Sequence, residues 1–123
     1  MKQSEAQIHA QVCAYIRLVY PKVIFTSEAS GLRLTIGQAK KMKALRSSSG
    51  LPDLWIMCPK KGFHGLFIEL KAENPLKKDG MAKSDHIKDQ INILLKLSLI
   101  GYACSMAVGF DQAIKVIDEY MKP

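Results

Sequence analysis

Two acids and a lysine interrupt an otherwise apolar stretch of the chain, LPDLWIMCPKKGFHGLFIELKA, which covers residues 51 to 72. Asp53 opens the first run of strand-forming residues, and Glu69 and Lys71 stand near the end of the second. Charged groups are costly to bury unless they are paired or bind a ligand. The three charges therefore either form ordinary ion pairs at the margin of a sheet or build a chemical site.

The two runs predict an antiparallel hairpin, with strands over 53–58 and 66–71 and a turn at PKKGFHG. Opposed residues in such a pair have numbers with a constant sum, and a turn centred near Lys61 sets this sum to about 122. Asp53 then lies opposite Glu69. Because side chains alternate along a strand, Glu69 and Lys71 project from one face. Trp55 and Phe67 share that face, and we expect them to pack under the first helix.

Two adjacent carboxylates repel each other, and a divalent cation removes the penalty. Oxygen ligands suit Mg²⁺ or Mn²⁺, which can hold a phosphate oxygen and lower the pKa of a bound water. Lys71 could orient or deprotonate that water, or neutralise charge that develops on the phosphate. The chemistry that this pattern indicates is the hydrolysis of a phosphodiester bond.

The surrounding pattern predicts four helices and four strands in the order α-β-α-β-β-α-β-α. The strands are apolar on both faces, which is typical of a sheet covered by helices on both sides. We therefore expect one α/β domain over residues 1–123 with a mixed four-stranded sheet. The first predicted helix begins at the Ser4 capping box SEAQ, and the second covers residues 38–46 with Ala39, Met42 and Leu45 inward. The third follows a Ser84 cap and has Ile87, Ile91, Leu94, Leu95 and Ser98 inward. The fourth follows an Asp111 cap and has Ile114, Ile117 and Tyr120 inward.

The net charge of +7, from 18 basic and 11 acidic residues, predicts an anionic partner. Nucleic acid is the first candidate and an anionic membrane surface the second. The segment GLRLTIGQAKKMKALRSSSG, which ends two residues before Pro52, contains no acid. We expect its basic side chains to contact a DNA backbone, although a solvated helix face is the alternative. The candidate DNA-binding residues are Arg33, Lys40, Lys41, Lys43 and Arg46, with Lys77 and Lys78 in a later loop and Lys60 and Lys61 in the hairpin turn.

Other kinds of site find little support in the sequence. The three cysteines, Cys13, Cys58 and Cys104, are far apart and contain no CxxC pair, which argues against structural zinc. The three histidines share no ligand spacing, and we expect no catalytic role for them, although His86 stands four residues before Gln90. No apolar run is long enough to span a bilayer, and the N-terminus lacks the apolar core of a signal peptide. We expect a cytoplasmic protein without an organic cofactor.

The ordered motifs resemble the PD-(D/E)XK nuclease superfamily, and within it the virus-type replication-repair nuclease (VRR-NUC) domain. The first motif is SGLPDL, with a glycine before Pro52 and Asp53, and the second is LFIELKA, which ends in Glu69-Leu70-Lys71. Glu5 in the first helix and Gln90 in SDHIKDQINILLKL match further positions of the pattern. The tail GYACSMAVGFDQAIKVI fits the last strand and helix, so that the resemblance covers nearly the whole chain.

The resemblance implies a restriction-endonuclease-like core that hydrolyses phosphodiester bonds with Mg²⁺ or Mn²⁺. It places the metal on Asp53 and Glu69, with the Leu70 backbone carbonyl and Glu5 as further candidate ligands. It assigns Lys71 to the water or the phosphate, and it has Glu5 and Gln90 complete or orient the site. Stand-alone domains of this size resemble phage and prophage enzymes that act as homodimers on branched DNA, four-way junctions in particular. The expected location is therefore a bacterial cytoplasm.

Several alternatives remain open from the residues themselves. Glu5 in a first helical turn also favours the helix dipole, and Gln90 also fits a solvated helix position. The chain could be a non-catalytic nucleic-acid-binding module on a nuclease fold, although such a module would be expected to lose an acid or the lysine. It could also cut duplex or flap DNA. A sequence-specific restriction-like enzyme usually needs extra recognition segments, for which 123 residues leave little room.

Overall fold

The computed structural model describes residues 3–28 and 34–123 and contains the eight elements in the predicted order. The helices and strands alternate as the sequence pattern indicates, which confirms the predicted α/β class. In chain order they are α1 (Glu5–Val19), β1 (Phe25–Ser27), α2 (Ile36–Ala44), β2 (Leu54–Ile56), β3 (Leu66–Lys71), α3 (Asp85–Leu99), β4 (Ala103–Val108) and α4 (Gly109–Met121).

The four strands form one mixed sheet in the order β1-β2-β3-β4. β1 pairs antiparallel with β2, β2 pairs antiparallel with β3, and β3 pairs parallel with β4. β2 and β3 are the two central strands, and the tight turn between them has Lys61 and Gly62 at positive φ. The sheet therefore presents the ends of its two central strands, where the three charges lie, between flanking helices.

The core lies where α1 and α4 cover one face of the sheet. α1 contributes Ile8, Val12 and Ile16, and α4 contributes Ile117 and Tyr120. The sheet contributes alternate residues of its strands to the same cluster, namely Leu54, Ile56, Leu66, Ile68, Leu70 and Ala107. α3 packs against β4. The strand residues that alternate with the core residues point to the opposite face of the sheet, where some of them line a groove together with Leu97 of α3.

Trp55 and Phe67 are two of the strand residues that point to this opposite face of the sheet. The expectation that they pack under the first helix is wrong, because α1 occupies the face of Leu54 and Ile68. Trp55 and Phe67 stack on each other with ring centroids 5.3 Å apart and an interplanar angle of 17°. They are only half-buried, so this aromatic pair stays partly open to solvent.

The first two helices both begin with a reciprocal cap. The Ser4 box with Gln7 is confirmed, and Thr35 and Gln38 form an equivalent box at the start of α2. α2 therefore begins at Ile36, two residues before the predicted start. Its predicted inner side is wrong in two positions: Ala39 is exposed, Leu45 lies 81% exposed, and no residue of α2 is buried. α2 makes few contacts with the rest of the molecule, which periodicity alone cannot reveal.

Two further helix details differ from the prediction. On α3, Leu94 is buried, whereas Leu95 and Ser98 are exposed, because the sheet ends at β4 and covers only a narrow stripe of the helix. α4 begins at Gly109 instead of after an Asp111 cap. The Val108 N–H, just before the helix, donates a hydrogen bond to the side-chain oxygen of Gln112. In the described part of the chain, no helix has the length and apolar character to cross a membrane.

A carboxylate on α4 joins it to α1. Asp118 accepts hydrogen bonds from the Tyr15 hydroxyl at 2.9 Å and from the Tyr20 hydroxyl at 2.7 Å. Burial, reinforced by this hydrogen bond, raises the pKa of Tyr20 to about 12. Hydrogen bonds to a charged acceptor are stronger than those between neutral groups. The network therefore fixes α1, which carries Glu5, against the last helix.

We expect Asp118→Ala to lower the free energy of unfolding by about 2–4 kcal/mol, because two part-buried hydroxyls lose a charged acceptor. Urea denaturation followed by far-UV circular dichroism measures the change. The neighbouring Glu119→Ala variant serves as control, since the Glu119 carboxylate pairs with Lys122 at the surface and should leave stability essentially unchanged. Equal losses in the two variants would contradict the role given to Asp118.

Candidate active site

The hairpin register brings the first two acids together. Leu54 pairs with Ile68 and Ile56 with Leu66, which confirms the expected sum of about 122. Asp53 directly precedes β2, and its Oδ2 accepts a hydrogen bond from the Leu70 backbone N–H at 2.8 Å. Backbone pairing between two central strands therefore holds the Asp53 carboxylate beside Glu69.

The acids open into a cleft of about 240 Å³ at the end of the sheet. All five residues expected to form the site line this cleft, although they come from four different parts of the chain. α1, the segment before β2, β3 and α3 each contribute to its walls. The lining residues are Glu5, Arg46, Ser49, Gly50, Leu51, Asp53, Glu69, Lys71, His86 and Gln90.

Glu69 is buried in an unfavourable electrostatic environment. Its side chain is 2% exposed, and its Oε1 has no hydrogen-bond partner in the part of the chain that the structure describes. Burial, the contact with Asp53 and the charge of Asp53 together raise the pKa of Glu69 to about 10, and the charge of Lys71 opposes this only partly. The contact with Asp53 is a hydrogen bond only while one of the two carboxyl groups holds a proton. Without a bound cation, the cleft therefore favours the neutral form of Glu69.

Lys71 projects into the same cleft from two residues further along β3. It is buried, and its Nζ lies 3.9 Å from Oε1 of Glu5, whose side chain is more than half exposed. The structure thus places Glu5 at the mouth of the cleft and Lys71 inside it. A long, weak ion pair of this kind leaves the ammonium group able to donate hydrogen bonds to a bound anion.

Gln90 enters the cleft from α3. It is only 7% exposed, so the alternative of a solvated helix position is wrong, and its Oε1 has no hydrogen-bond partner among residues 3–28 and 34–123. His86, one turn earlier, also lines the cleft, as its spacing from Gln90 indicated. Gly50 permits this approach: its φ is +80°, and a Cβ there would lie 3.3 Å from the backbone of Asp89 and of Gln90. The glycine of SGLPDL therefore lets the chain pass close to α3.

The basic candidates fall into separate groups. Arg46 lines the cleft and pairs with Glu28 at 3.4 Å, whereas the three lysines of α2 are exposed and line no part of it. Arg33 lies outside the described residues. Lys77 and Lys78 are exposed in the loop before α3, and their contact with DNA stays a prediction, as does that of the α2 lysines, Lys40, Lys41 and Lys43.

Two residues that the sequence reasoning passed over also lie at the site. Ser49 lines the cleft, and Lys83 lines a small adjoining pocket with Glu5 and Lys71. The run SSSG before the PD motif is a signal for Ser49, since a polar turn that leads directly to Asp53 lies close to this residue. Lys83 had no such signal, because only the fold of the loop after β3 brings it near.

The donor set of the cleft suits a hard divalent cation. Asp53 and Glu69 offer carboxylate oxygens, and the unpartnered oxygens of Glu69 and Gln90 are buried acceptors without donors. Mg²⁺ keeps several waters and commonly uses one or two protein carboxylates. Within 3–28 and 34–123, no group of three or more His, Cys, Asp or Glu side chains is placed to hold a metal ion. The Leu70 carbonyl and Glu5 stay predicted ligands.

Comparison with known proteins supports the fold. A solved structure named "VRR_NUC domain protein" matches with a TM-score of 0.67 and 22% sequence identity, over 98% of this chain and 90% of that one. The expected fold of the VRR-NUC domain is therefore confirmed. No family profile matches the sequence, and no curated protein does so either.

In metal-free buffer we expect stability to fall with rising pH because of Glu69. Its pKa is raised from 4.5 in the unfolded chain to about 10, so between these values the folded state retains a proton that the unfolded state releases. The Glu69→Gln variant should lack this pH dependence. The difference in free energy of unfolding between wild type and variant should therefore change by up to about 1.4 kcal/mol per pH unit.

Urea denaturation in EDTA at pH 5.5 and pH 8.5 tests this expectation. The free energy of unfolding of the variant, relative to that of the wild type, should be higher at pH 8.5 than at pH 5.5. When Mn²⁺ replaces EDTA at pH 8.5, it should stabilise the wild type more than the variant. A difference between the two proteins that is the same at both pH values would contradict a perturbed Glu69.

Proposed function

We propose that this protein is a metal-dependent DNA endonuclease of the VRR-NUC kind that hydrolyses phosphodiester bonds. The observation that carries the proposal is the convergence of Asp53, Glu69 and Lys71 on one cleft, in which a buried acid has an unpartnered oxygen. A purely structural ion pair would satisfy these groups, whereas Glu69 Oε1 has no hydrogen-bond partner among the residues that the structure describes. The shared fold with a VRR_NUC domain protein and the net charge of +7 further support it.

The proposed roles follow from position and charge. Asp53 and Glu69 would hold Mg²⁺ or Mn²⁺, which when bound supplies a Lewis acid for a phosphate oxygen and for water. The Leu70 N–H fixes the orientation of the Asp53 carboxylate, so that little rearrangement is needed on binding. Lys71 donates hydrogen bonds to the attacked phosphate or to the attacking water, and Gln90 orients these groups from α3.

Glu5 has a more limited role in this proposal. Its carboxylate lies 3.9 Å from the Lys71 ammonium at the mouth of the cleft. A carboxylate at this distance attracts the ammonium group and can hold it in position, where it can donate hydrogen bonds to a phosphate. Glu5 therefore orients Lys71, and it would be a further candidate ligand for the metal.

Cleavage assays with labelled DNA test the proposal directly. We expect Mn²⁺- or Mg²⁺-dependent cutting of a four-way junction in preference to duplex, flap and single-stranded DNA, and none in EDTA. Asp53→Asn and Lys71→Ala should each reduce the rate by about 10²- to 10⁴-fold, because each loses a charge that acts on the reacting groups.

Matched surface variants control for altered charge. Asp111→Asn and Lys115→Ala change exposed residues of α4 and should cut at the wild-type rate. Absence of metal-dependent cutting with every substrate would favour a non-catalytic DNA-binding module. Equal cutting by wild type and Lys71→Ala would remove Lys71 from the mechanism.

We further propose that the enzyme acts as a homodimer, as the resemblance to stand-alone phage domains implies. The end of α3 supports this, because its large apolar residues remain uncovered: Leu95, Leu99 and Ile100 are exposed, Leu99 by 86%. Apolar patches of this kind are typical of interfaces. A second copy that covers them would present two cleavage sites to one branched DNA.

Sedimentation velocity measures this association. We expect the wild type at about twice the 13.7 kDa chain mass and Leu99→Glu shifted toward the single chain, because a buried charge opposes the interface. Leu18→Glu changes an equally exposed leucine on α1 and should leave the mass unchanged. A wild type that sediments as one chain at micromolar concentration would rule out a stable dimer.

A further inference from the structure

An apolar groove of about 370 Å³ adjoins the acidic cleft. Its floor is the stacked pair Trp55 and Phe67, and its walls come from α2, α3 and the segment that precedes β2. The volume falls in the range of pockets that hold one small ligand. The full lining consists of Thr26, Ser27, Glu28, Met42, Leu51, Pro52, Trp55, Phe67 and Leu97.

The groove is continuous with the proposed catalytic site. Leu51 lines both the cleft and the groove, and Pro52 of the groove directly precedes Asp53 of the cleft. Phe67 stands two residues before Glu69 on the same face of β3, which separates their backbones by about 7 Å. That distance is about the span of one nucleotide, so a strand cut at the cleft would place a neighbouring base at the groove.

The groove also has charges suited to a nucleic acid. Lys41 and Lys43 are exposed and flank Met42 in the sequence of α2. Glu28, the acid among the lining residues named above, is paired with Arg46 at 3.4 Å. An apolar, aromatic floor beside cations matches a nucleotide, which has a flat ring and a charged phosphate. Bases stack on aromatic side chains with little dependence on sequence. A purely apolar protein segment would find no use for the flanking lysines.

We propose that this groove binds one unstacked nucleobase adjacent to the scissile phosphate, an inference that rests on the nuclease function proposed above. The base lies against the exposed edge and face of the Trp55–Phe67 pair, while the α2 lysines contact the phosphates beside it. Unstacking is least costly where DNA is unpaired or distorted. The groove therefore selects DNA with a mobile base next to the cut, as at a branch point or single-stranded end.

The only tryptophan of the chain reports on this groove. The protein is titrated in Ca²⁺ buffer with a twelve-residue oligothymidylate and, separately, with an abasic deoxyribose-phosphate oligomer of equal length and charge. We expect the first to quench Trp55 fluorescence and the second to leave it unchanged. We also expect the abasic oligomer to bind about 5- to 150-fold more weakly, which is the range that one stacked base supplies. Equal quenching and equal affinity would overturn the proposal.

Variants separate stacking from fold. Trp55→Leu and Phe67→Leu keep an apolar floor but lose a ring, and in fluorescence anisotropy each should weaken the oligothymidylate by about tenfold while leaving the abasic oligomer unaffected. Tyr102→Leu is the matched control, because Tyr102 packs on both rings but does not line the groove. Unchanged preference for the base-containing oligomer in both groove variants would overturn the proposal, even if one variant folds poorly, since the wild-type comparison needs no substitution.

The two proposals fail separately. Metal-dependent cutting without any preference for the base-containing oligomer would contradict the nucleobase site and support the nuclease function. Preference for bases without cutting keeps the groove as a binding site and removes the nuclease. If Trp55→Leu changes the sedimenting mass but not the affinity for oligothymidylate, then the groove holds a second copy of this chain and the nucleobase assignment is wrong.

Discussion

The pairing of β2 with β3 is the constraint on which the rest of the site depends. A slip of one residue in this pairing would turn Glu69 and Lys71 to the opposite face and bring Ile68 and Leu70 out of the core. The hydrophobic residues of the hairpin, buried under α1 and α4, therefore fix the position of the charges as firmly as they fix the core. Along these two strands, residues that line the cleft alternate with residues that pack in the core.

The electrostatics of the cleft explains why so much apolar structure surrounds it. Burial raises the energy of the ionised Glu69 carboxylate, and that energy is recovered only when a cation or a proton is bound. A solvated pair of carboxylates would bind a divalent ion less tightly, because water would already stabilise the charge. The packed β3 strand and the Gln90 side chain exclude water from one side, so the fold around the proposed site would set its affinity for an ion.

The sequence was informative where local patterns and the core agree. The hairpin register and the element order were predicted because buried residues alternate along β2 and β3 and because capping residues mark the helix starts. α2 was predicted less well, since the Thr35–Gln38 box set its start and its apolar residues meet no partner. The side of the sheet on which Trp55 and Phe67 pack depends on which helix crosses over which face, and no local signal in the sequence carries that information.

The Asp118 network has a consequence for the order in which the molecule assembles. Its hydrogen bonds join residues 103 and 98 positions apart, so α1 cannot reach its final place until α4 has been synthesised. α1 carries Glu5, which meets Lys71 in the cleft. Contacts between such distant parts of a chain carry a high cost in loop-closure entropy and slow folding. The Glu5 side of the cleft is therefore held in place by these contacts only once the chain has been translated as far as Asp118.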